Sequence, residues 1–182
     1  MKLNTLSSHT SRSQAVFPAV LYAWATTANG LMAKIPESAV ALVGRFSVAA
    51  VFWKSGQTKI EGLAIDLVGR DFEWGIPRLS SSAVDLFRDE YRLPLLSPET
   101  AAVLAALGEH GLPLMLLLGL GTRFASAGLL AMTAVIQIMV YPSAYPTHGV
   151  WAAVLLWLMM RGPGVFSVDH LLARHRRRAS TS

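Results

Sequence analysis

Charge is almost missing from four long apolar stretches, and this constrains the chain more than any other feature. Phe124–Tyr141 carries no charged residue, Thr100–Leu120 carries only Glu109, and Ala39–Trp53 carries only Arg45. Thr147–Met160 is shorter, is free of Asp, Glu, Lys and Arg, and ends at Arg161. About 20 apolar residues cross the hydrocarbon of a bilayer. Soluble domains carry about 25% charged residues, whereas this 182-residue chain carries 15%. The pattern predicts an all-α fold, a four-helix transmembrane bundle with spans at about 39–58, 100–120, 123–141 and 147–161. The last span is short, and it borrows length from the preceding turn or sits where the bilayer is thin.

The connecting segments have their own character. Residues 59–99 mix charged with apolar side chains, which describes a structured extramembrane loop with short helices rather than a disordered linker. Residues 1–38 form a polar tail followed by an apolar run at 15–33. Pro18, Thr26, Thr27, Asn29 and Gly30 interrupt that run. Such clustering suits a helix lying in the interface better than a span. Pro36-Glu37-Ser38 marks a helix start. Gly121-Thr122-Arg123 is a tight turn, and Gly162-Pro163-Gly164 breaks the last span. Residues 165–182 form a basic tail, in which Ser167 caps an amphipathic helix.

Topology follows from charge. Lys2, Arg12, Lys34, Arg123 and the cluster Arg174, Arg176, Arg177 and Arg178 fall on one side of four spans. The loop at 59–99 holds five basic residues against eight acids and falls on the other. The positive-inside rule then places both termini in the cytoplasm. The arginine cluster reads as an orienting tail beside anionic lipid, not as a nucleic-acid site. The first fourteen residues are polar and no small-x-small cleavage site follows, so no cleavable secretory signal is expected. The chain has no cysteine. That excludes disulfides, thiol–disulfide chemistry and Cys-ligated metal on this chain.

Polar groups inside the spans are the candidates for chemistry, because a charge in hydrocarbon costs roughly 2.5–3.5 kcal/mol on insertion scales. Glu109 lies near the middle of its stretch, too short to reach either interface. It must be protonated, paired or facing a hydrated cavity. Counting residues from the cytoplasmic ends sets Lys54 at a compatible height, with Arg45 within side-chain reach. The expected cluster is therefore Glu109 with Lys54 or Arg45, joined by Gln137 from the third span. Lys59, His110 and His148 are weaker contributors. His110 and His148 stand at different depths, so bis-histidine haem is a poor fit. No metal-ligand spacing, phosphate loop or nucleophile elbow occurs.

Three blocks together resemble the DoxX family of small bacterial membrane proteins. The first is Gly44-Arg45 with Phe52-Trp53-Lys54-Ser55-Gly56-Gln57-Thr58-Lys59. The second is Glu109 followed by Pro113 through Arg123, and the third is Arg161-Gly162-Pro163-Gly164-Val165-Phe166-Ser167-Val168-Asp169. The loop at 60–98 is longer than the family's short form and resembles a subgroup with an enlarged outer loop. The resemblance implies a four-helix inner-membrane bundle associated with redox or thiol-stress systems. Three functional expectations follow. The first is a membrane subunit or scaffold of a redox or stress-response system that performs no chemistry alone. The second is a quinone-interacting oxidoreductase component, with Arg45, Lys54 and Glu109 around the quinone head. The third is a small-solute or metal-handling transporter, for which four spans are few without a homo-oligomer. A redox or metal-handling protein is the expected partner besides the bilayer.

Overall fold

The computed structural model describes residues 9–66 and 69–180, with side chains from Leu21 onward. Helix α1 runs over His9–Met32 and forms a unit of its own with the chain up to Pro36. The helix takes in residues 9–14, which were expected in the polar tail. Once a helix is nucleated, each added residue gains a hydrogen bond, so an apolar helix extends readily into neighbouring polar residues.

The second unit starts at α2, Glu37–Gln57, whose first turn carries Glu37 immediately after Pro36. Helix α4 covers Pro98–Leu118, and its N-cap Ser97 accepts a hydrogen bond from the Thr100 amide. Helix α5, Thr122–Val135, continues through a π-helical turn at Ile136–Val140. Helix α6 spans Tyr145–Arg161 and α7 Val168–Ala179. Helix α2 packs on α4 and α6, α4 packs on α5, and α5 packs on α6. Ala41, Val48, Ala49, Phe52, Leu116, Ala125, Leu129, Leu155 and Leu158 fill the space between them. Small residues allow the close approach. A methyl on Gly44 would lie 3.0 Å from Val154, and one on Gly128 would lie 2.8 Å from Leu112.

Among the described residues three helices are long and apolar enough to cross a membrane: Glu37–Gln57, Pro98–Leu118 and Thr122–Val140. The fourth expected span falls in α6, which has 17 residues. The outward faces are apolar, with Val43, Phe46, Leu107, Phe124, Ile138, Val150 and Met160 all exposed. A surface of that kind is matched by lipid and not by water. The chain is a membrane protein.

The loop between α2 and α4 corrects the all-α expectation. It contains an antiparallel hairpin of β1, Ile60–Asp66, and β2, Asp71–Leu79. Only then come α3, Ser81–Leu86, and a π turn at Phe87–Tyr91. Phe72, Trp74 and Ile76 alternate with Asp71, Glu73 and Gly75, a period of two that marks a strand. Ala83 and Phe87 pack on Ala101 and Ala102, so the first turns of α4 are covered by the loop. We call this the loop end of the helices, and the end carrying α7 the tail end.

Candidate functional site

The tail end is organised around Arg45, which is 1% exposed. Its Nη2 donates to the Phe166 carbonyl at 2.6 Å, and its Nη1 occupies the place where a Cβ on Gly119 would stand. Gly119 can leave that place open because it closes α4 in the left-handed region at φ +68°. Asp169 reaches back to the start of α5 and accepts from the Gly121 amide at 2.8 Å and the Thr122 amide at 3.0 Å. A carboxylate there satisfies free helix N–H groups and meets the positive end of the helix dipole. Ser38 Oγ accepts from the Val165 amide at 3.1 Å. Residues 162–169 are thereby strapped across the ends of α2, α4 and α5.

At the loop end, Gly56 lets α2 and α4 approach closely. A Cβ there would lie 2.8 Å from the His110 ring and 3.1 Å from Glu109 Cβ. One turn later the chain doubles back, and Lys59 Nζ stands 2.7 Å from Glu109 Oε2 with both side chains 3% exposed. The contact is an ion pair whose orientation departs from a hydrogen bond. The Lys59 ammonium also donates to Ser55 Oγ at 3.2 Å and the Ser55 carbonyl at 3.4 Å. His110 Nε2 lies 2.9 Å from Gln57 Nε2, and its Nδ1 lies 2.7 Å from the Ala106 carbonyl. The carbonyl requires the proton on Nδ1, which leaves Nε2 to accept from the amide. Gln57 Oε1 in turn accepts from the Ile65 amide at 2.6 Å, and Trp53 Nε1 donates to the Ile65 carbonyl at 3.1 Å. The hairpin is thus tied by both backbone groups of one residue to the last turn of α2.

This geometry redistributes the expected cluster. Glu109 is buried and paired, but its partner is Lys59 and not Lys54 or Arg45. Lys54 is exposed on the outer surface of α2. Arg45 belongs to the opposite end of the helices, beside Gly119. Gln137 does not join either, because it binds the Pro142 carbonyl at 2.7 Å and His148 Nδ1 at 2.7 Å. The depth count assumed that α2 and α4 end level at the tail end, whereas Arg45, nine residues into α2, already stands beside Gly119 just past the end of α4. At the loop end α4 overhangs α2, and Glu109, the twelfth residue of α4, faces the last turn of α2. Glu109 therefore stands level with the loop-end rim of α2 while lying in the middle of α4. The proximity of Lys59 to Glu109 depends on the chain's reversal at residues 58–59, which a straight-helix count cannot register.

An apolar cavity of about 250 Å³ lies between α4, α5 and the loop, and Glu109 forms part of its wall. Phe87, Tyr91, Leu104, Met132 and Ile136 are among the other lining residues. Tyr91 stacks edge-on against Phe87 at 4.6 Å and Tyr141 at 6.4 Å. The Tyr141 hydroxyl donates to Glu90. Burial, with Tyr141, Glu109 and Glu90 adding to it, pushes the Tyr91 phenol up to about 12. A raised folded value means that the neutral phenol is the form the fold favours. Its contribution to stability is complete below about pH 10 and is lost as pH climbs through about 12. Alkaline absorbance titration should show the last tyrosine to ionise in the wild type missing from Tyr91→Phe, while Tyr141, raised by its hydrogen bond to Glu90, still ionises late in both.

Gly56 provides a test of the helix contact. Gly56→Ala should destabilise the protein by about 1–3 kcal/mol through overpacking against His110. Gly149→Ala, where nothing lies within 4 Å of the new methyl, should not. Denaturation of the two variants in the same detergent measures the difference.

Among the described residues no group of three His, Cys, Asp or Glu side chains has the geometry to hold a metal ion. The family model DoxX matches residues 40–142, more than half of the chain. No curated protein and no solved structure matches the chain.

Proposed function

The chain belongs to the DoxX family, and from that premise we propose that it is an inner-membrane subunit of a redox or stress-response system whose loop-end site receives a quinone head group. The proposed architecture is a four-helix transmembrane bundle in a bacterial inner membrane. Helix α6 is its short fourth span, the hairpin side faces outward and both termini are cytoplasmic. Basic residues crowd the tail end: Arg123 donates to the Met160 carbonyl, Arg161 pairs with Glu37, and α7 carries four arginines. That distribution agrees with the positive-inside rule.

One observation carries the quinone reading. An apolar cavity is walled at one point by a buried carboxylate that already has an ammonium beside it. Ligand pockets of this kind are mostly apolar with a few placed polar groups that fix orientation. About 250 Å³ is small for a drug-sized ligand, but it suits a single substituted ring whose tail runs out between helices. Glu109 would face the ring's oxygen, with Lys59 setting the charge of the carboxylate and Tyr91 closing the wall. A quinone, when bound, supplies the redox chemistry. The chain's own residues bind the head, exclude water and present the Glu109 carboxylate as a proton acceptor.

Protein in lipid nanodiscs should bind a short-tailed benzoquinone, and Glu109→Gln should weaken that binding by at least about ten-fold, roughly 1.4 kcal/mol. Lys54→Met, on the outer surface, should leave it unchanged. Equal binding by wild type and Glu109→Gln, with both eluting as the same folded species, would remove the site from consideration.

A further inference from the structure

The hairpin β1–β2 has two chemically different faces. Strand pairing sets Leu63 opposite Trp74 and Ile65 opposite Phe72, while Ala64 faces Glu73 and Asp66 faces Asp71. Cross-strand partners project to the same side, and residues two apart along a strand do as well. Leu63, Ile65, Phe72 and Trp74 therefore share one side, and Asp66, Asp71 and Glu73 share the other; Ile76 follows Trp74 at a break in the register opposite Gly62. The apolar side is open: Trp74 is 78% exposed, Ile76 79% and Phe72 48%. A two-stranded hairpin is marginal by itself in water, and an aromatic and aliphatic face this open needs a cover.

The position of the hairpin says what covers it. Ile65 is held through both its amide and its carbonyl by Gln57 and Trp53, and the Ser80 amide donates to the Lys59 carbonyl at 2.9 Å. Both ends of the hairpin are thus fastened to the loop-end terminus of α2. That helix has 21 residues, or roughly 30 Å at 1.5 Å per residue, the thickness of the hydrocarbon. The exposed Lys54, three residues before the end of α2, is placed for its long chain to reach headgroups there. The hairpin consequently starts at the loop-end terminus of α2, next to its lipid-facing surface, and because the acids of its other face cannot enter hydrocarbon it lies where hydrocarbon gives way to headgroups. Tryptophan settles in this zone, and phenylalanine serves on the apolar face of elements that lie in it.

We infer that the hairpin is a membrane-interface anchor, with the Phe72–Trp74–Ile76 face resting in the headgroup and upper acyl region of the adjoining leaflet and the Asp71–Glu73 face in water. The occupant of the face is lipid, as for an amphipathic helix lying in the interface. The anchor would hold the loop that covers α4, and with it the wall of the cavity beside Glu109, against the bilayer surface.

The absence of cysteine makes the test direct, because one introduced thiol takes a nitroxide label uniquely. Labels placed singly through Asp71→Cys, Glu73→Cys, Trp74→Cys and Ile76→Cys all fall on exposed residues, so the fold should tolerate them. In proteoliposomes, collision with oxygen, which concentrates in lipid, should be favoured several-fold at 74 and 76. Collision with a water-soluble nickel chelate should be favoured at 71 and 73. Equal nickel access at all four positions would place the whole hairpin in water and overturn the inference. Exclusion of both reagents at 74 and 76 would overturn it too, since a protein surface such as a second copy of the chain would then be the cover. Dipolar broadening between labels would identify that copy.

Discussion

Lys59→Met should cost about 3–5 kcal/mol of stability, because it leaves the Glu109 carboxylate buried without its ammonium. Glu109→Leu should cost a comparable amount by stranding the ammonium. The double variant Lys59→Met/Glu109→Leu should recover most of the loss. An apolar pair of similar size substitutes for a buried ion pair at little net cost, whereas a single unpaired charge does not. Denaturation of the four proteins in one detergent closes the cycle, and the coupling should approach the loss in either single variant. Additive losses would mean that the two groups do not meet. The double variant also separates stability from function. It should fold, yet it should lose quinone binding along with Glu109→Gln. A folded double variant that still binds quinone would show that the pair is only a packing device.

Gly119→Ala should be the most damaging single methyl in the tail end. Gly119 holds φ +68°, and a non-glycine residue there costs of order 1 kcal/mol or more. The new methyl would also meet Arg45 Nη1 and the Ser167 backbone and side chain. The guanidinium cannot simply swing aside, because its Nη2 is held at 2.6 Å by the Phe166 carbonyl and the group is buried. Moving it would also break the strap formed by residues 162–169, whose Asp169 amide donates to the Gly119 carbonyl at 2.9 Å. A total loss of several kcal/mol is expected, seen as poor accumulation in the membrane or a strongly lowered denaturation midpoint. Asp169→Asn, which keeps the shape of the cap but removes its charge, should cost less, about 1 kcal/mol. Wild-type stability in Gly119→Ala would mean that Arg45 does not sit where the structure has it.

The candidate site was only partly legible. Glu109 declared itself, since a lone acid in an apolar run must be satisfied somehow. Its partner did not. Lys59 reads as the first residue of a loop, and a residue count along straight helices favours Lys54, which is exposed. The signal available was Gly56-Gln57-Thr58-Lys59: a glycine that permits close approach, then polar groups at a helix end, then a cation one turn from Ser55. Tyr91 and the cavity gave no sequence signal, because they join residues from a π turn, α4 and α5. The hairpin could have been found from the alternation at 71–76, but thirteen charged residues spread through 59–99 masked a pattern of period two. Asp169 was visible only as part of the DoxX-like block at the chain's end, and its target on α5 lies 47–48 residues away.

Residue patterns alone put this chain in a membrane, located the start and stop of most of its helices, and required a partner for the acid in the second apolar run. Those properties follow from transfer free energies and local backbone preferences, which act over a turn or two of chain. Which cation meets Glu109, that Arg45 holds the opposite end of the helices, and that part of the loop is a sheet came from the packed fold. These depend on how far α4 overhangs α2 and on where the chain reverses. Helix offset and chain reversal are settled by packing between distant segments, on which hydropathy and residue spacing are silent.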